Sequence, residues 1–252
     1  MPKQISPIVK LKGAIDDLSF YKTQDGYMAR QKTSISAERI KTDPKFDLLR
    51  RAGLEFGAAG KAGKLFRDVL ITELNKARDN RVVSRVTQTM VAILQSDPAS
   101  DLGFRRVENG DLTLLKGFEF NNGVSFAACV KAQFTFVVDR VTGSIRANLV
   151  SHIPRLEIAA PDNATHYNIF AATAAIDFAT GEYSVTRASS ASLPWDNEPT
   201  AASVLQMAVQ PNTPLPIFLL LGVEFVKLVN GKSYPLSKGL STLQVWDVDQ
   251  LP

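Results

Sequence analysis

Cys129 is the only cysteine in this 252-residue chain, so neither an intrachain disulfide nor a thiolate metal cluster can form. It sits in the apolar stretch Phe126-Ala-Ala-Cys-Val130, where it reads as a small buried hydrophobe. A reducing compartment suits that usage. Histidine is almost as scarce: His152 and His166 fall in different expected strands, with no cysteine partner and no carboxylate at a metal-ligand spacing. No metal or cofactor is expected. A Gly-x-Ser-x-Gly elbow is missing, which leaves no serine-nucleophile constellation. Long hydrophobic runs are missing too. The most apolar stretch, Pro216-Ile-Phe-Leu-Leu-Leu-Gly-Val-Glu-Phe-Val226, is too short to cross a bilayer and carries Glu224. The opening Met1-Pro-Lys-Gln-Ile-Ser-Pro7 lacks the apolar core of a secretory signal, so a cytoplasmic location is expected, and Asn163-Ala-Thr165 is read as a chance glycosylation match.

What remains is ordinary for a globular protein: 45% apolar and 21% charged residues, enough for a real core and well away from disorder. The net charge of +4 hides a polarity. Residues 1–107 carry 20 Lys and Arg against 12 Asp and Glu, whereas residues 108–252 carry 9 against 13. Such a chain suits nucleic acid on its basic half, or attraction between unlike halves of neighbouring subunits.

The hydrophobic period divides the chain near residue 110. Leu18-Ser-Phe-Tyr-Lys22 and Tyr27-Met-Ala-Arg-Gln-Lys32 flank Asp25-Gly26 and predict a β-hairpin. A polar connector, Ser34–Thr42, leads to Asp43-Pro44, a helix start. Helical spacing follows through Phe46, Leu49, Phe56, Leu65, Phe66, Val69, Leu70 and Leu74. Asp79 is placed to cap a second helix carrying Val82, Val83, Val86, Met90, Ile93 and Leu94 to about Gln95, which Asp97-Pro98 ends. Beyond residue 110 the period becomes two. A hairpin is expected around Asn122-Gly123, then strands over Gln133–Asp139, Ser144–Val150, Arg155–Ala159, His166–Phe178, Glu182–Arg187, Ser203–Val209, Ile217–Leu228 and Leu240–Val248, with turns at Arg140–Gly143, Ala179–Gly181 and Asn230–Lys232. The expected fold class is therefore α+β: an N-terminal β-hairpin and helical segment (1–110) followed by an antiparallel immunoglobulin-like β-sandwich (111–252).

Gly57-Ala-Ala-Gly-Lys-Ala-Gly-Lys64 superficially resembles a phosphate loop. Five residues separate Gly57 from Gly63, Leu65 stands where a hydroxyl is needed, and no strand precedes it. A small-residue helix face that permits close backbone approach is the expectation, since each helical glycine costs about 1 kcal/mol relative to alanine. Lys61, Lys64, Arg67, Lys76, Arg78, Arg81, Arg85, Arg105 and Arg106 form a candidate phosphate-reading surface. Glu55, Asp68, Glu73 and Asp79 interrupt them, and no aromatic residues are interleaved as stacking platforms. Asp139, Asp177 and Glu182 are assigned to turns and solvated strand faces.

Leu11-Lys-Gly-Ala-Ile-Asp-Asp-Leu-Ser-Phe-Tyr21 with Asp25-Gly-Tyr27 and Arg30, Glu55–Lys64, Arg81-Val-Val-Ser-Arg-Val-Thr-Gln88, Leu114–Asn121, Pro161–His166 and Leu221–Phe225 together resemble a family of uncharacterised proteins from Bacteroidetes-type bacteria. The resemblance implies a bacterial origin and no activity or site residues. Where that family reads Gly-x-x-Gly, this chain has Gly13-Ala-Ile-Asp16. No catalytic, cofactor or metal residue is assigned. The expected function is a non-enzymatic, self-associating structural or assembly subunit, a homo-oligomer or filament built through the N-terminal hairpin and the sandwich edges. The alternative is a module that binds a protein, glycan or nucleic acid partner.

Overall fold

A computed structural model describes residues 3–5, 9–33, 35–237 and 239–251. They resolve into two compact units, Met1–Arg51 and Ala52–Pro252. Ser34, where the expected connector begins, and Met1-Pro2 and Ser6–Ile8 lie outside the described residues.

The first unit holds three antiparallel strands: β1 (Gly13–Ile15), β2 (Leu18–Thr23) and β3 (Gly26–Gln31). Strand β1 was not foreseen from sequence. Asp16-Asp17 joins β1 to β2, with Asp16 at φ 49°, a left-handed position that a short polar side chain tolerates. Strands β2 and β3 pair with Thr23 opposite Gly26, so the turn is centred on Gln24-Asp25, one residue earlier than expected, and Gly26 takes φ 117°. Lys22 lies over the Tyr27 ring at 5.7 Å and Arg30 over Tyr21 at 5.9 Å. The polar segment expected to be a connector contains helix α1 (Ala37–Thr42), whose N-cap Ser36 accepts from the Arg39 N–H. Asp43 caps a 3-10 turn through the Lys45 N–H, and helix α2 (Asp47–Val69) follows. None of the described residues of Met1–Arg51 is buried.

The second unit has a helical layer of α2, α3 (Ile71–Lys76) and α4 (Val82–Gln95). Ala59, Ala62, Phe66 and Val69 recur at helical spacing and are buried, as are Val82, Val86, Met90, Ile93 and Leu94 of α4. The two helices approach at Gly63, where a Cβ would stand 3.3 Å from Val86 Cγ1. Gly53, Gly57 and Gly60 have nothing within 4 Å, so only one of the four glycines serves that approach. Asp79 is not a side-chain cap of α4. Its carboxylate accepts from the Arg81 and Asn122 N–H groups and pairs with Arg85.

Short helix α5 (Phe126–Cys129) precedes strands β4 (Phe134–Asp139) and β5 (Ser144–Leu149), and short helix α6 (Pro154–Glu157) separates them from β6 (His166–Ile176), β7 (Tyr183–Ser189), β8 (Leu193–Pro194), β9 (Ser203–Ala208), β10 (Ile217–Val229), β11 (Lys232–Pro235) and β12 (Thr242–Asp249). All pair antiparallel, in order β11-β10-β6-β7 with β12 on β10 and β8 on β6, and in a second sheet β4-β5-β9. Thr186 of β7 exchanges hydrogen bonds with Ala208 of β9, which links the two edges into a curl.

Strands β6 and β10 are buried on both faces. Phe170, Ala172, Ala174 and Ile176, with Phe218 and Leu220, join the helices in one core. Tyr167, Ile169 and Ala171, with Leu219, Leu221 and Phe225, join Ile145, Leu205 and Phe134 of the second sheet in another. The division expected at residue 110 therefore falls inside the second unit, because helices and sheet share a core.

Two local expectations are corrected. Asn122-Gly123 does not close a hairpin: the Asn121 side chain donates to the Gly239 and Ser241 carbonyls, and Phe118 and Phe120 pair with Val245 and Leu243 of β12. Cys129 lies in helix α5, capped by Ser125. The run Arg155–Ala159 is largely helical. The result is an α+β fold of helices and antiparallel sheets.

Candidate functional site

A cleft of about 570 Å³ lies in the second unit between α2, the loop 103–108 and the β6–β7 turn. Helix α2 supplies Ala58, Lys61, Ala62 and Leu65; the loop supplies Gly103 to Glu108; the turn supplies Phe178 to Gly181. Two buried carboxylates hold the loop. Glu55, 5% exposed, accepts from the Gly103 N–H at 2.8 Å and stands 4.0 Å from Arg105 Nε. Asp97 accepts from the Ala99 N–H at 2.9 Å and the Arg106 N–H at 3.1 Å. The turn is fixed by Asp177, which accepts from the Ala179 N–H and the Thr180 hydroxyl, with Gly181 at φ 83°. Those donors, the Thr180 hydroxyl foremost, hold the Asp177 carboxyl below its ordinary range. Asp139-Arg-Val-Thr-Gly143 repeats the arrangement between β4 and β5, so both carboxylates serve turns, and Glu182 is exposed.

Of the nine cations singled out in the sequence, the cleft gathers three, Lys61, Arg105 and Arg106. Arg106 is paired with Glu108 at 3.5 Å. Arg105 Nε is buried without a hydrogen-bond partner, and Lys61 has no partner among the described residues. The others are dispersed. Lys64 pairs with Asp68, Lys76 caps the Phe170 ring at 4.5 Å, and Arg85 donates to the Glu119 and Phe120 carbonyls beside Asp79. The segment Gly57–Lys64 lies within α2 and forms no phosphate loop.

The two histidines are separate features. His152 is buried, with Nε2 2.7 Å from the Tyr167 hydroxyl and Nδ1 2.9 Å from Thr200 Oγ1. Burial raises the Tyr167 phenol above its usual range. His166 is half-buried, with Nδ1 3.0 Å from Thr165 Oγ1. Among the described residues no group of three or more His, Cys, Asp or Glu could hold a metal ion. Burial, reinforced by Glu119, pushes the Cys129 thiol up to about 12, which disfavours the nucleophilic thiolate.

Glu119 was not singled out in the sequence, although its place between Phe118 and Phe120 signals a carboxylate among aromatic side chains. Its Oε1 accepts from the Phe126 N–H, Oε2 is buried without a partner, and burial raises the carboxyl to about 7 against the opposing pull of that N–H and of Arg85.

A second groove, about 380 Å³, is lined by Phe56 of α2 and Ser84, Thr87, Gln88 and Val91 of α4. The exposed residues of α4 are Val83, Ser84, Gln88, Ala92 and Gln95, none of them charged. Exposed helix faces ordinarily carry charge. No helix among the described residues is long and apolar enough to cross a membrane.

No family model, curated protein or solved structure matches the chain.

Proposed function

We propose that the chain is a non-enzymatic, self-associating structural or assembly subunit. The observation that carries this reading is the first unit. Met1–Arg51 has three antiparallel strands and no buried residue among those described, and exposes Val9 (57%), Ile15 (58%) and Leu18 (44%). A small sheet with no interior is marginal in water. A second copy supplies the surface it lacks, and the immunoglobulin-like form of the sandwich, with edges open to strand addition, belongs to the same proposal. The uncharged α2–α4 groove and the opposite charge of the two chain halves support it.

Sedimentation of the full-length protein over a range of concentration and salt tests the proposal. A species larger than the monomer is expected, weakened by salt. The variant Ile15→Lys/Leu18→Lys and a deletion of residues 1–35 should each dissociate it while the second unit keeps its circular dichroism. A monomer at every concentration and ionic strength refutes it. The binding-module reading is favoured by one specific feature, the cleft beneath Arg105.

A further inference from the structure

We propose that the cleft between α2, the loop 103–108 and the β6–β7 turn binds a small organic anion, an aromatic or planar body bearing a phosphate or carboxylate. The volume, about 570 Å³, falls in the range of small-molecule sites and is far too large for a lone inorganic anion. Two cations face it without full compensation. Lys61 has no partner among the described residues. Arg105 is more deeply set, its side chain 28% exposed and its buried Nε lacking an acceptor.

Glu55 explains why Arg105 stands there. A carboxylate 5% exposed is costly to bury, and this one is committed to the Gly103 N–H at 2.8 Å. At 4.0 Å it lies beyond hydrogen-bond range of Arg105 Nε. It orients the guanidinium and offsets part of its charge while leaving donor capacity unused. Glu55 is thus a positioning residue and Arg105 the anion-facing one. An anion that displaces water here gains a charge-assisted hydrogen bond in a partly desolvated setting.

The rest of the lining explains the body of the ligand. Phe104 is 69% exposed at the rim, and Leu65 and Phe178 add apolar surface. An exposed aromatic ring beside unspent cations matches a planar anion, with the ring stacked on Phe104 and its charged group toward Lys61 and Arg105.

Isothermal titration of the full-length protein at low salt with four probes tests this: adenosine monophosphate, indole-3-acetate, inorganic phosphate and adenosine. One-to-one binding of the nucleotide or of the indole acid is expected, with phosphate and adenosine each at least about tenfold weaker. Which aromatic anion is preferred separates a phosphate from a carboxylate ligand, and either result supports the site. Lys61→Gln and Phe104→Ala alter exposed side chains, so both variants should keep the wild-type melting temperature while losing about tenfold in affinity. Arg105→Lys, which keeps a cation beside Glu55, should lose affinity as well. Failure of both aromatic anions to bind overturns the proposal, as does binding that survives Lys61→Gln and Phe104→Ala together. Neither result touches the assembly reading, which sedimentation decides separately.

Discussion

Gly222→Ala should be among the most damaging single-methyl additions in this chain. Gly222 lies in β10 opposite Phe170 of β6 and Leu243 of β12. A Cβ there would come within 2.3 Å of Phe170 Cζ and 2.7 Å of the Thr242 carbonyl oxygen. Its φ is not in the left-handed region, so the penalty is steric and not conformational. Phe170 is 2% exposed and its ring is covered by the Lys76 ammonium at 4.5 Å. The ring can leave only by disturbing the helical layer, and the carbonyl belongs to a paired strand. Overpacking of this kind costs about 1–3 kcal/mol, and losing the Lys76 contact adds up to about 1 kcal/mol. The expected destabilisation is about 1–4 kcal/mol, a fall in urea midpoint on the order of 1 M. Phe170→Leu removes the clashing ring edge but not the carbonyl. The double variant should therefore be less than additive by about 1 kcal/mol or more. Urea titration followed by tryptophan fluorescence measures all three variants. A Gly222→Ala protein within about 0.5 kcal/mol of wild type would show that the strand yields, and the argument would fail.

Three further outcomes are expected. Glu119 is raised to about 7 from an ordinary 4.5 in the folded state, so its contribution is present below the ordinary value and lost as pH rises through about 7. Glu119→Gln, which still accepts from Phe126 N–H, should flatten stability between pH 5 and 8. At the alkaline end it should gain on the order of 1 kcal/mol after allowance for screening at a half-buried site; an unchanged pH slope refutes the assignment. Gly57→Ala meets open space and should stabilise by about 0.5–1 kcal/mol, whereas Gly63→Ala, pressed on Val86, should give no such gain; equal effects in thermal melts would contradict the crossing at Gly63. His152→Ala should lower the melting temperature by stranding the Tyr167 hydroxyl, at about 1–3 kcal/mol, while His166→Ala should be nearly silent. Zinc retained after dialysis and lost in either variant would point instead to a metal site.

The legible parts of the fold were those with strong local chemistry. Asn230-Gly231 adopts φ 51° and 75° and closes β10 onto β11, as such dipeptides do. The apolar spacing of α2 and α4, and the continuous apolar run of β10, identified those elements because burial fixes them. Four-residue α5 was not legible, since Phe126–Cys129 is too short to distinguish a helical turn from an alternating strand. The Asn122-Gly123 signal failed because Asn121 is bound to carbonyls near residue 240, a pairing no local pattern encodes. Glycines on α2 were read as one packing face, yet three of the four meet nothing within 4 Å. The cleft was half visible: its cations were singled out, but not which three converge. Glu55, Gly103 and Thr180 come together only through tertiary packing, and no motif spacing announces them.

The double-faced burial of β6 and β10 has a mechanical consequence. Residues of alternate parity on each strand belong to different cores, so the two strands act as a common wall between helical layer and second sheet. Neither compartment can loosen while that wall stays intact, because each methyl group withdrawn from one side leaves its neighbour on the other unsupported. The buried amides of β6 and of residues 217–226 of β10 should therefore exchange with solvent only by complete opening of the second unit, with one opening free energy. A pull applied across the helices would be carried through the wall into the far sheet, as a load is carried by a shared partition.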